Sequence, residues 1–462
     1  MLRCHSILAA GALASVVSAQ VSLSHIGTVD VSSTSNAGNA EYIGSNPSAV
    51  AWNGTDVWVG GFNSSGATGD AAIVKVSNAL TNPVYGARFG VQPTTINQRG
   101  YSGLDVSGNT LAAAYDSGSS VPEGITGWDL AGNQLWAKTA RGSSGVAIDP
   151  GFGGVIDAGV GWTTFGSGRR ALQDSATGAD IYTSANGMII NAGNGTLWRD
   201  MDFDEVLGDV YMRKSNEVVR CQRSGGNSVF NCQVLSNSQF APFVNIQNVA
   251  YVRQGSDELI FWNDRPNTNG GQPLDLVVKV LTPTGSELQI DWGSFTAPGG
   301  SGAYDFSYDV ASRTLAICDF NARAVYVFAV SVFQQFGSGC VGQGGVTPEL
   351  NGSGDTRVGG SIDFTASGVA PVSVGIFALG GGPANVPLPF PGGCPLHVSP
   401  LLDTAGLFVT PPGAPGSGTS SLTLPLPQVA TGGAVLTAQC IVLENGSLGS
   451  VVTSNGVQVA VQ

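Results

Sequence analysis

The stretch AVAWNGTDVWVGGFN, residues 50 to 64, is apolar on alternate positions, breaks at a Gly turn and resumes with Val and Trp. A period of two marks a strand with one buried face, so the stretch reads as a hairpin. The same grammar returns five times. GLDVSGNTLAAAYD starts at Gly103, GVAIDPGFGGVIDAGVGW at Gly145, DMDFDEVLGDVYMRK at Asp200, NVAYVRQGSDELIFWND at Asn248 and DFSYDVASRTLAICDFN at Asp305. A third strand follows each hairpin (AAIVKVS, GITGWDL, RRALQDS, EVVRCQR, DLVVKVL and RAVYVFAV), and a fourth follows the first five. A four-stranded sheet of this kind has two apolar faces and covers neither alone, so successive sheets must pack face to face.

Four antiparallel strands recurring every roughly 40–60 residues are the signature of propeller blades. The expectation is therefore an all-β chain with a six-bladed β-propeller over residues 20–332. The sixth unit has only three strands, and LSHIGTVDV, residues 23 to 31, has no other partner. It is expected to supply the missing outer strand and close the ring, which removes exposed sheet edges. In this grammar the chain resembles six-bladed propellers of the TolB-like, NHL and gluconolactonase-like group, without a diagnostic motif.

Composition bounds the partners. With 67 Gly, 42% hydrophobic and 11% charged residues, the chain is turn-rich and well buried, not disordered. A net charge of -13 with no Lys/Arg cluster argues against nucleic acid. The N-terminus MLRCHSILAAGALASVVSAQ has a basic start, an apolar run too short to span a bilayer, and small residues before Gln20. It reads as a signal peptide over residues 1–19, cleaved after Ala19. No later transmembrane segment is expected, and the mature chain is read as secreted, extracellular or at the cell surface.

Beyond a linker at 333–339 the texture changes to Gly, Pro and few charges, with seven or eight short strands over 340–462. That suits a small C-terminal β-sandwich. The Phe336-Gly337-Ser338-Gly339-Cys340 run, Pro348 and Leu350, Gly392-Gly393-Cys394, Leu424-Pro425-Leu426-Pro427 and the closing Ser454-Asn455-Gly456 carry a resemblance. The region is similar to the C-terminal module of many secreted planctomycete proteins, which implies a localisation or attachment role and no activity. Cys440 departs from that pattern, where an ordinary apolar residue is expected.

Six cysteines follow the signal segment. Cys221 and Cys232 sit on successive strands around the turn RSGGNS and are expected to pair across them. Cys340 and Cys394 share a Gly-Cys context and are expected to form a second disulfide. Cys318 and Cys440, mid-strand among apolar neighbours, are expected to be buried thiols.

Little in the chain looks catalytic. His25 and His397 are the only histidines after the signal segment, neither beside a nucleophile, and G-x-S-x-G and C-x-x-C are both absent. The acidic run DMDFDEVLGD reads as a solvated strand and turn; it lacks the spacing of an EF-hand calcium loop. The Trp residues of the repeats read as packing between sheets.

The ends of the second strands turn toward one mouth of the ring. They carry Asn63, Asp116, Trp162, Arg213, Asn263, Asp264, Arg265, Asp319 and Asn321. Of these, Asn63, Asp116, Arg213, Asp264, Asp319 and Asn321 are the candidate ligand-binding set. The function expected is a non-catalytic propeller that binds an extracellular polymer or protein. The alternative is a calcium-dependent hydrolase of lactonase or esterase type with its site in the axial channel. The candidate turns supply Asn and Asp but no Glu, which counts against it. No cofactor beyond that calcium is expected.

Overall fold

The computed structural model describes residues 19–31, 43–62, 70–92, 100–116, 124–139, 145–149, 154–157, 169–170, 172–182, 188–191, 198–204, 206–214, 217–224, 229–238, 248–254, 257–264, 273–298, 302–390, 393–428, 433–446 and 450–461. The expected signal segment lies outside them up to residue 18. The chain divides into two compact units, Ser22–Val330 and Ser331–Gln462, the latter grouped with Met1–Val21.

In the first unit the described strands form, in chain order, local groups whose neighbours pair antiparallel; in addition Met188–Asn191, paired with Arg169–Arg170, runs parallel to Val229–Asn237. Group one is Asn46–Trp52, Val57–Phe62 and Ala71–Ser77, with Val84–Tyr85 and Phe89–Gln92 both paired to its third strand. Group two is Gly100–Ser107, Thr110–Asp116, Gly124–Asp129 and Gln134–Thr139. Group three is Val146–Asp149, Gly154–Asp157, Leu172–Asp174 and Asp180–Tyr182. Group four is Trp198–Phe203, Val210–Lys214, Glu217–Ser224 and Val229–Asn237. Group five is Val249–Gln254, Asp257–Asn263, Val278–Leu281 and Glu287–Asp291. Group six is Ala303–Asp309, Thr314–Asp319 and Ala324–Phe336, and Ala19–Asp30 lies hydrogen-bonded beside its third strand. Just beyond that strand the Val31 N–H donates to Arg323 O at 2.9 Å.

First strands pack in chain order. Asn46–Trp52 lies against Gly100–Ser107, that strand against Val146–Asp149, and so on to Ala303–Asp309, which in turn lies against Asn46–Trp52. This face-to-face succession is a β-propeller topology. Alternation supplies the cores between sheets. Trp58, Tyr101, Leu111, Tyr115 and Trp128 fill the space between groups one and two. Val50, Val57, Ala316, Val325 and Val29 fill that between groups one and six. The Trp residues described with side chains in groups one, two and five are thus packing residues, as their spacing suggests.

The described strands of the second unit form two larger sheets and a two-stranded one, Pro383–Pro387 with Pro395–Val398. One larger sheet orders Phe333–Phe336, Val451–Ala460, Val435–Leu443, Val374–Gly380 and Leu401–Val409. The other orders Glu349–Gly354, Ser361–Val369 and Gly418–Pro425. Phe364 and Ile362 of one sheet share a core with Phe377 and Val442 of the other. Residues 333–336, read as the start of a linker, instead end a strand and pair with Val459 to Gly456.

Both expected cysteine pairs stand at disulfide distance. Cys221 and Cys232 lie directly opposite on neighbouring strands, with Cα atoms 3.9 Å apart. Cys340 and Cys394 have Cα atoms 5.8 Å apart, closing a separation of 54 residues. A closure of that length contributes about 4 kcal/mol in the chain-entropy account. Cys318 and Cys440 are buried free thiols, and burial pushes Cys440 up to about 12.

The glycine-cysteine run of this unit is a structural corner. His397 lies between Ser338 O at 3.0 Å and Ala384 O at 3.3 Å. Gly337 has φ 66°, and a Cβ there would fall 2.5 Å from the His397 ring. Asn455 bridges to Leu350 both ways, accepting its N–H at 2.8 Å and donating to its O at 3.0 Å. Beside it a Cβ on Gly456 would meet the Phe336 ring at 2.4 Å.

Candidate functional site

The first strands of the propeller unit enclose a cavity of about 70 Å³, lined by Asp105, Asp200, Asp202 and Asp305 together with Tyr251 and Phe306. These carboxylates are not idle. Asp105 accepts the Ile148 N–H at 2.6 Å, Asp200 the Val249 N–H at 2.9 Å, and Asp202 the Tyr251 N–H at 2.8 Å. Asp305 accepts the Val50 N–H at 2.7 Å, and Ser307 the Trp52 N–H at 2.9 Å. Each pairing joins a first strand to the first strand of the next group, satisfying backbone donors that the sheet ladders leave over.

The other junctions use different groups. Ser48 donates to Tyr101 O at 2.5 Å, Arg223 pairs with Asp149, and the Asn248 amide donates to Asp305 at 3.0 Å. Asp200, Asp204 and Asp209 are buried and Asp202 is half-buried, so the acidic run is not the solvated strand its composition suggests. Of its described acids, Asp204 pairs with Arg253 of the next group and Asp209 with Arg220 of its own.

Crowding carboxyls away from water disfavours their charge. Burial, then the facing Asp305, holds Asp200 well above the ordinary carboxylate range. Burial, then Asp105, does the same for Asp202, and burial raises Asp305 against the pull of its Val50, Phe306 and Asn248 donors. A carboxyl raised in the folded chain binds more protons there than in the unfolded chain. Its contribution is therefore favourable at acid pH and is lost as pH climbs above the unfolded value near 4. The charged groups facing Asp202 are Asp105 and Asp200. Asp202→Asn keeps an oxygen for the Tyr251 N–H and removes a charge. It is expected to raise the melting temperature at pH 8 and to flatten its fall between pH 5 and pH 8. A native protein whose melting temperature climbs steadily over that range, with no difference in the variant, would contradict this.

The mouth residues divide. Arg213 is buried with its guanidinium over the Trp262 ring, 4.6 Å from the centroid. Asp264 is buried, accepts the Ser238 hydroxyl, and its N–H donates to Val277 O at 2.7 Å. Asp319 is buried, and one oxygen takes the N–H groups of Gly302, Asn321 and Ala322, all at 3.0 Å. Asn321 is exposed at the tip of that turn. Asn263 is buried between the Asn248 N–H at 2.9 Å and Ala303 O at 3.1 Å. Asp116 ends its strand opposite Gly100, with its side chain outside the description. Asn63, Trp162 and Arg265 lie outside the described residues.

Sequence reasoning looked at the ends of second strands and passed over the first-strand acids. A signal for them exists. Gly103-Leu104-Asp105, Asp200-Met201-Asp202 and Asp305-Phe306-Ser307 stand at matching positions in groups two, four and six, with an acceptor side chain at every outer place but Gly103. The donor strands in groups one, three and five read Val50-Ala51-Trp52, Val146-Ala147-Ile148 and Val249-Ala250-Tyr251.

Among the described residues no cluster of three His, Cys, Asp or Glu is arranged to hold a metal ion, and no helix is long and apolar enough to cross a membrane. No family model matches the chain, and no curated protein matches it in sequence. Among solved structures it overlaps the β-propeller domain of Cps50 (Swd1) from Myceliophteria thermophila at 11% identity and a TM-score of 0.36. That match covers 61% of this chain and 83% of the other. The C-terminal WD40 domain of Sif2 overlaps at 12% identity and a TM-score of 0.37, over 66% of this chain and 98% of its own. Overlap so distant says nothing about ligand or partner.

Proposed function

We propose that the chain is an exported six-bladed propeller, closed by Ala19–Asp30, which binds an extracellular polymer or protein across its mouth. The C-terminal unit localises or attaches it. The observation that carries the reading is the employment of the axial and mouth side chains. Asp105, Asp200, Asp202, Asp305 and Asp319 already hold backbone N–H groups of neighbouring sheets or turns. That makes a stiff polar frame for recognition, not a set of poised acids and bases. Two disulfides suit an oxidising compartment. An attachment role for the second unit is supported by the sheet-terminal strand Leu401–Val409, on which Leu402, Leu407 and Val409 are exposed.

The test uses the full chain, immobilised and offered the envelope polysaccharides and exported proteins of the cell that makes it. Asn321→Trp, which crowds the mouth from an exposed position, is expected to reduce retention at least about tenfold, roughly 1.4 kcal/mol. Leu407→Ser in the second unit is expected to leave that retention unchanged. Equal retention by native protein and Asn321→Trp overturns the mouth as the binding face. Turnover of simple lactones or esters on addition of calcium overturns the non-catalytic reading in favour of the hydrolase.

A further inference from the structure

Arg213 is fully buried, and its Nε, Nη1 and Nη2 have no hydrogen-bond partner among the described residues. The same is true of Nε1 of Trp262, the indole on which the guanidinium lies. A guanidinium carries five N–H donors and an indole one, and neither can accept. Leaving a buried cation without hydrogen bonds costs several kcal/mol, so a fold that keeps one has an acceptor for it. Burial pulls Arg213 down to about 10 while Asp264 and Asp200 oppose the shift. It is therefore still a cation at neutral pH. Those two acids act on it through charge; neither hydrogen-bonds to it. Asp200 is itself held toward its neutral form.

Both side chains stand near the mouth ends of second strands, Arg213 in Val210–Lys214 and Trp262 in Asp257–Asn263. Their cross-strand partners, Asp200 and Val249, are joined by the hydrogen bond that links groups four and five. The two orphaned donors thus belong to one junction between neighbouring sheets. All the unmet groups are donors, and donors in a fork select an acceptor with several lone pairs on adjacent oxygens. We propose that Arg213 and Trp262 form an oxyanion site between the fourth and fifth sheets, taking a carboxylate or a phosphate-like group from the ligand at the mouth. This rests on the mouth being the binding face.

The full chain is titrated with acetate and, separately, with inorganic phosphate against chloride at matched ionic strength, reading melting temperature and tryptophan fluorescence. One of the two is expected to give a saturating rise, the folded-to-unfolded ratio increasing about elevenfold at ten times Kd. A response to acetate alone assigns a planar carboxylate; a response to phosphate assigns a tetrahedral oxyanion. Arg213→Met keeps an apolar chain over Trp262, and is expected to abolish the response without lowering the melting temperature in chloride. Should that variant not fold, Trp262→Phe removes a single donor and is expected to weaken apparent affinity several-fold. Asn321→Trp, which tests the mouth through retention, should leave the anion response intact, so the two ideas fail separately. No saturating response beyond chloride, or an equal one in Arg213→Met and Trp262→Phe, overturns the oxyanion site.

Discussion

A chain that begins at residue 32 is expected to melt roughly 10 °C below the native protein, or to self-associate. Leu23, Val29 and Val31 are almost wholly buried. Fully burying side chains of this size stabilises by about 1.5–3 kcal/mol each, so their removal costs on the order of 5 kcal/mol or more. The deletion also strips Ala324–Phe336 of its neighbour and bares a row of backbone donors and acceptors that invites another chain. Differential scanning calorimetry gives the first effect and light scattering on a sizing column the second. An unchanged melting temperature in a monomeric protein would mean that Ala19–Asp30 decorates the last sheet and does not complete it.

Asp305→Ala is expected to cost on the order of 3 kcal/mol, far more than its single carboxyl suggests. That side chain accepts the Val50 N–H at 2.7 Å, the Asn248 amide at 3.0 Å and the Phe306 N–H at 3.0 Å. It therefore ties together groups one, five and six, and alanine leaves three buried donors without an acceptor. Asp305→Asn retains one oxygen for Val50 and is expected to lose less than half as much at pH 7, because it also removes a buried charge. Urea midpoints for the two variants decide this. Equal losses would show that the charge, not the accepting oxygen, holds the junction.

The strand content of the propeller unit was legible because period-two alternation needs only the identity of neighbours, as in Val50-Ala51-Trp52 against Val57-Trp58-Val59. The cysteine pairing was legible for a related reason: Cys221 and Cys232 flank one short turn. What alternation does not reveal is which polar residue faces a neighbouring sheet. Asp202 and Asp319 look alike in sequence, each an acid between two apolar neighbours, Met201 and Phe203 in one case and Cys318 and Phe320 in the other. One holds the next sheet and the other holds its own turn. Arg213 was picked out for a mouth position, yet its lack of a hydrogen-bond partner among the described residues depends on where Asp264 and Asp200 stop short of it. No local pattern encodes that. The strand continuing through Phe336 escaped because its partners, Gly456 to Val459, lie more than a hundred residues further along the chain.

The links between neighbouring first strands carry a polarity. Acceptors at 305 and 307 meet donors at 50 and 52, and acceptors at 200 and 202 meet donors at 249 and 251. In the third instance Asp105 meets Ile148, while Gly103 stands where the other acceptor would be. There a Cβ would already lie 3.1 Å from the Val146 nitrogen. At these three junctions the acceptor strands belong to groups two, four and six and the donor strands to groups one, three and five, so each such link runs in one direction along the chain. A junction that set two donor strands face to face would leave their backbone N–H groups unmet.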